Sequence, residues 1–381
     1  MYRNPFDAAE IASRLDTVRA EIAGRGIDAA VFSSPETVFY LTGLDHWGYF
    51  APHLLIVSPD REPVLVTRAM ERGTIEKQVT AAAFRGHGDS RTAADVAIEV
   101  LCEQGRANGR LGLEAWSQGM SHGLATALWS GLDAEWSDVT GMVDAIRQVK
   151  SPAEQALMRR AAAVTDAATA AAVGAIRDGA RERDVAAECL AAMTRAGGDP
   201  PGFGPFIRPA SRFGEEHATW GDDVYRQGES VFLELAGCVA RYHAPNGRLV
   251  HIGPLPEADR RIAEVCGNAF DAVLDALRPG ARARDVYAAW QGQVDAAGLG
   301  HYRRHHCGYA VGIGVPPSWT GGPGVAGLRH DSDMEIRVGM SFHVISWLAE
   351  TGCGSFLVTD CVLLAETGPE VLTTAPRVIE V

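Results

Sequence analysis

Residues 231–248 read VFLELAGCVARYHAPNGR and open as a near-continuous apolar run, the pattern of a buried strand. Glu234 interrupts that run between Leu233 and Leu235. Strict alternation puts its side chain on the face shared by Phe232 and Ala236, so the carboxylate is half buried and needs a partner. Burying a carboxylate is expensive unless it is paired or neutralised. Glu234 is therefore a candidate site residue, the plainer alternative being a solvated outer-face Glu. Arg241, Tyr242, His243 and Arg248 follow closely and concentrate polar chemistry beside a core strand.

The chain of 381 residues is long enough for two domains. Its 46% hydrophobic and 22% charged content is that of an ordinary globular protein. A net charge of -13 argues against sequence-independent nucleic-acid binding and suits a cationic or zwitterionic small substrate. No apolar run approaches the ~20 residues of a membrane helix, so no membrane partner is expected. The opening MYRNPFDAAEIASRLD lacks the basic-then-apolar layout of a signal peptide. Seven scattered cysteines without a CxxC suggest reduced thiols and a cytoplasmic location.

Working outward, Phe6–Arg25 has helical periodicity, and short β-type runs follow at 29–32, 54–57 and 63–66. Helices alternating with strands make residues 1–147 an α/β domain. Within it, Asp45-His46-Trp47-Gly48-Tyr49-Phe50 gathers three aromatics in one short loop. They either cap this domain's core or form a wall over a cationic ligand, in the same or a neighbouring subunit. Ser151, Pro152 and Glu154 carry the signature of a helix N-terminus. Residues 176–185 then recur as 277–286, with seven identities in ten positions, each copy a Gly turn between two helices. β-type sequence follows each copy, at 231–236 and 249–252 and at 340–347 and 356–364. Residues 148–381 thus form an α+β domain of two pseudo-symmetric halves, with a cleft between them as the natural ligand site.

An α/β N-terminal domain, a VKSPAE junction and a duplicated second half resemble the creatinase, prolidase and aminopeptidase P family across the whole chain. The resemblance implies the pita-bread fold, in which the two halves surround a curved antiparallel sheet. Most members hold two metal ions through two Asp, one His and two Glu. Here those positions read Glu234, Pro245, Tyr309, Ile345 and Thr359. Pro and Ile offer no side-chain ligand, so the resemblance implies a member without a metal or other cofactor. A zinc alternative on His301, His305, His306 and Cys307 has no compact ligand spacing.

ELAGCVARYHAP (234–245), GYAVGIGVPPSW (308–319) and the aromatic loop look like the metal-free branch around ectoine hydrolase, which opens a cyclic amidine. Glu215-Glu216 before His217, and Trp47-Gly48-Tyr49-Phe50, depart from that branch and bear on the substrate. The resemblance implies His217 as acid/base and Glu234 as nucleophile or general base, the sequence not deciding between the last two. Tyr309 is expected to orient or donate, and His243 and His343 to line the cleft from the two matching inner strands. Arg248 would bind a substrate carboxylate or pair with Glu234, and Trp47, Tyr49 and Phe50 would cover the ring. The family further implies a homodimer. Other readings are a creatinase-like amidinohydrolase, a cyclic amide hydrolase, an Xaa-Pro peptidase with an atypical metal site, and a non-catalytic binding protein.

Overall fold

In the computed structural model, which describes residues 4–322 and 324–381, the 231–248 stretch lies in a single β-hairpin. Its arms, β8 (Ser230–Val239) and β9 (Tyr242–His251), pair antiparallel with Glu234 opposite Gly247. The sequence reading starts the second arm at Leu249, whereas the strand begins at Tyr242. The reason is the turn, which uses Ala240 (φ 49°) and Arg241 (φ 65°) in the left-handed region without any Asn-Gly signature. The Asp199 carboxylate accepts from the Ala240 N–H at 2.7 Å and helps hold this unusual turn.

The hairpin extends on its outer side through β7 (Phe206–Pro209), which pairs with β8. The second half repeats the plan with β10 (Gly308–Ala310), β11 (Ser341–Leu348) and β12 (Phe356–Ala365). The spatial order β10-β11-β12-β9-β8-β7 is symmetric about the β12–β9 junction, as expected of two duplicated halves. Two short strands, β13 (Gly368–Val371) and β14 (Ile379–Glu380), pair with β12 and β9. A helix pair precedes each half, Pro152–Ala175 with Glu182–Arg195 and Glu257–Ala276 with Ala283–Ala296. Between the helices of each pair sit Gly179 (φ 80°) and Gly280 (φ 85°), so the repeated motif is one turn built twice.

The junction helix begins with Ser151 and Glu154 in a reciprocal capping box. It packs directly on β8. A Cβ on Gly237 would stand 2.5 Å from the Ala161 carbonyl oxygen, so the close approach needs glycine. Thr165 locks the contact by accepting from the Gly237 N–H and donating to the Ala244 carbonyl.

Residues up to Arg147 form a separate compact unit. Its mixed sheet comprises β1 (Ala29–Phe32), β2 (Leu54–Val57), β3 (Val64–Arg68), β4 (Ala83–His87), β5 (Arg110–Leu113) and β6 (Glu135–Asp138), in the order β4-β3-β2-β1-β5-β6. Val31, Ile56, Val66, Leu101 and Leu128 are part of its core. Among the described residues no helix is long and apolar enough to cross a membrane.

Arg248 proves to be structural. Its guanidinium donates to Asp360 Oδ1 at 2.7 Å and to the carbonyls of Gly247, Thr359, Ala375 and Pro376. With 1% exposure and its donors committed, it can neither hold a substrate carboxylate nor pair with Glu234. It ties the two halves together across the β9–β12 junction. Arg248→Ala leaves Asp360 buried without its counter-charge and is expected to cost about 3–5 kcal/mol. Urea denaturation checks this, and a loss below about 1 kcal/mol would show that the clamp is not structural.

Candidate active site

The β7–β8 register sets Phe206 opposite Glu234, and both line a cavity of about 590 Å³ in the second unit. Such a volume suits a small molecule. The Glu234 side chain is 14% exposed, and its nearest basic group is His343 Nε2 at 4.0 Å. No hydrogen bond reaches its carboxyl among the described residues. Burial raises its pKa to about 7, against the downward pull of the Arg208 and Arg304 charges and with a push from Glu216. The apolar setting that Leu233 and Leu235 foretell therefore holds the group half protonated near neutrality.

Behind Glu234 runs a line of polar contacts. The Trp319 indole N–H donates to the Tyr309 hydroxyl at 3.1 Å, which meets His343 Nδ1 at 2.9 Å. His343 Nε2 in turn meets the Thr359 hydroxyl at 2.6 Å. Burial lowers the His343 pKa to about 3, so the ring is neutral and has one N–H. It donates to one hydroxyl and accepts from the other. In either tautomer one hydroxyl proton, on Tyr309 or Thr359, finds no acceptor within the chain of contacts. Tyr309 lines the cavity, with burial pushing its own pKa well up.

His217 also lines the cavity, its ring stacked on Phe203 (centroids 6.0 Å) and edge-on to Phe206 (5.8 Å). It sits at φ 58°, a backbone conformation that a non-glycine residue keeps only when its surroundings enforce it. Arg208 supplies part of that enforcement. Fully buried on β7, it donates to the carbonyls of Arg212 and Ala218, bracing the turn that carries His217. Its guanidinium lies 4.3 Å over the Phe232 ring and acts on Glu234 by charge. Sequence reasoning misses Arg208; the available signal was an Arg set between Ile207 and Pro209 in a β-type run.

Sequence reasoning also misses Arg304, and considers His306 only for the zinc alternative. Both line the cavity, Arg304 with its guanidinium 4.8 Å above the Trp347 ring. The zinc alternative does not assemble. His301 meets the Thr351 carbonyl, Cys307 is buried with its thiol pKa pushed up, and no cluster of three ligand residues exists among the described residues.

His243 does not face a ligand. Its Nε2 accepts from the Gly202 N–H at 2.8 Å and its Nδ1 meets the Arg241 carbonyl at 2.9 Å, so both nitrogens staple backbone. It is wholly buried and outside the cavity lining, which corrects the expectation of a substrate contact. His343 stands one layer back and reaches the cavity through Tyr309. Trp47, Tyr49 and Phe50 lie on the first unit, where Tyr49 donates to the Leu44 carbonyl while Trp47 and Phe50 are 61% and 80% exposed.

The donor set does not fit a pair of metal ions. Of the five aligned positions Pro245 and Ile345 have no donor atom, and Tyr309 and Thr359 are engaged with His343. Glu234 remains as a single carboxylate, too few ligands for a hard divalent ion.

Comparison with known proteins agrees with this architecture. Residues 14–149 match the creatinase/prolidase N-terminal domain and residues 156–366 match metallopeptidase family M24. Ectoine hydrolase of Halomonas elongata is 28% identical over 98% of this chain and 97% of its own. An uncharacterised hydrolase/peptidase of Sinorhizobium fredii is 30% identical over 98% of this chain and 96% of its own. Among solved structures, an Xaa-Pro dipeptidase from Bacillus anthracis superposes with a TM-score of 0.85 at 20% identity, covering 97% of this chain and all of the other.

The raised pKa of Glu234 carries a sign for stability. The folded carboxyl, at about 7 against an ordinary 4.5, holds its proton more tightly than the unfolded one. Its contribution is therefore fully present below pH 4.5 and is lost as pH rises through 7. Glu234→Gln removes that loss, and is expected to be more stable than the parent by on the order of 3 kcal/mol at pH 8 and by little at pH 4.5. Urea denaturation at the two pH values checks this; a gap independent of pH would contradict it.

Proposed function

The chain belongs to the M24 metallopeptidase family, with a creatinase/prolidase N-terminal domain, and from that premise we propose a metal-independent hydrolase of a non-peptide C–N bond. The substrate we propose is a small zwitterionic cyclic amidine, ectoine first. The observation that carries this reading is Glu234, an unpaired carboxyl facing a small cavity where the metal ligands beside it have been replaced.

An amidinium ring supplies the counter-charge that Glu234 lacks. Its arrival favours the ionised carboxylate, which is then a base of suitable strength near neutral pH. Glu234 takes a proton from water as the water oxygen adds to the carbon between the two ring nitrogens. The tetrahedral adduct then collapses: His217 protonates the leaving nitrogen, one C–N bond breaks as the adduct's C–OH becomes the amide carbonyl, the hydroxyl proton released returns to His217, and the proton held by Glu234 passes to the freed amine. From ectoine and one water this yields N-acetyl-diaminobutyrate, with atoms and protons balanced. With His343 protonated on Nδ1, the Tyr309 hydroxyl proton is the one without an acceptor in the line and is available to the adduct, and Arg208 keeps His217 in place.

The same reading includes a homodimer in the cytoplasm. Seven free thiols suit a reducing compartment, and a partner subunit would cover the exposed Trp47 and Phe50.

A panel of ectoine, hydroxyectoine, creatine, cyclic amides and a proline dipeptide, read by mass spectrometry with and without chelator, tests the function. Ectoine opening is expected in both conditions, and turnover of the proline dipeptide alone would overturn the reading. Glu234→Ala and His217→Ala should each lower kcat by about 100- to 10,000-fold. Full activity in Glu234→Ala would remove it from the chemistry.

A further inference from the structure

The cavity has a second electrostatic feature, on the turn just before β10. Arg304 Nε is buried and has no hydrogen-bond partner, and the same holds for His306 Nδ1 two residues on. Both residues line the cavity that Glu234 faces. Arg304 has no ion-pair partner among the described residues, although its charge is felt at Glu234. Its guanidinium lies 4.8 Å over the Trp347 ring, which restricts the side chain and leaves the planar donor fork available. The residue is half-buried, and its enclosed Nε is a donor without an acceptor, which is costly unless a ligand supplies one.

The other arginines near the site are already occupied. Arg208 donates to the carbonyls of the 212–218 turn, and Arg248 is spent on Asp360 and backbone. Arg329, which also lines the cavity, is paired with Asp331 at 2.9 Å and is nearly half exposed. Among the described residues near the site, Arg304 is the cation left with its donors open.

We infer that Arg304, with His306 beside it, binds a carboxylate of the substrate and so turns the ligand's electrophilic carbon toward Glu234. This rests on the hydrolase reading and narrows it. The substrate class becomes small amino-acid-like carboxylates bearing an amidine, guanidine or amide, and neutral amides or carboxamide derivatives are rejected. Discrimination follows from geometry, because a carboxylate accepts two parallel N–H bonds from the fork whereas a carboxamide presents a single acceptor.

The test uses acid and carboxamide pairs, namely ectoine, creatine and proline, each against its own carboxamide. Binding is measured by calorimetry and turnover by mass spectrometry, on the full chain and on Arg304→Ala, Arg304→Lys and Arg329→Ala. The parent should bind the acid of at least one pair about 10- to 100-fold more tightly than the amide. Arg304→Ala should bring that ratio close to one, raising KM for a turned-over acid far more than it lowers kcat. Arg304→Lys should recover part of the ratio, and Arg329→Ala should keep it. An unchanged ratio in Arg304→Ala with an unchanged melting temperature overturns the assignment, as does a parent chain with no preference in any pair. Acid-selective binding without product would sustain the Arg304 site while defeating the hydrolase reading, so the two failures are distinct.

Discussion

A carboxyl on an inner strand, with no hydrogen bond to hold it among the described residues, is the constraint around which the candidate site is arranged. Glu234 lies among apolar neighbours, and burial outweighs the two arginine charges that favour its ionised form. The result is a group near its midpoint at neutral pH. Asp360 differs in its partners. It too is buried, but Arg248 and Thr373 both donate to it, and it serves as a joint between the two halves.

The positively charged groups around Glu234 divide the work by what they touch. Arg208 is committed to carbonyls and so sets the shape of the turn that presents His217. Arg304 has open donors and so is available to a ligand. Tyr309 orders a line of hydrogen bonds through His343 to Thr359.

Much of this was legible in the residues. The 176–185 and 277–286 repeat foretells two matching halves, and the capping box at Ser151 foretells the start of the long helix. Glu234 stands out because it breaks an apolar run. The β8–β9 turn was hidden because Ala240 and Arg241 take left-handed conformations that favour other residue types. Arg248 and His243 were misjudged for a shared reason: a polar residue on an inner strand reads the same whether it meets substrate or backbone. Arg208 and Arg304 were invisible as partners of Glu234 because their proximity arises from strand register and from a turn far along the chain.

The central claim is that Glu234 replaces the metal centre as the source of base chemistry. The most direct measurement is the ectoine turnover number determined together with the metal content of the same preparation, by inductively coupled plasma mass spectrometry. Turnover that is constant across preparations of differing metal content, and lost in Glu234→Gln, is the predicted result. Turnover rising in proportion to bound divalent metal, toward saturation at two ions per chain, would contradict the account.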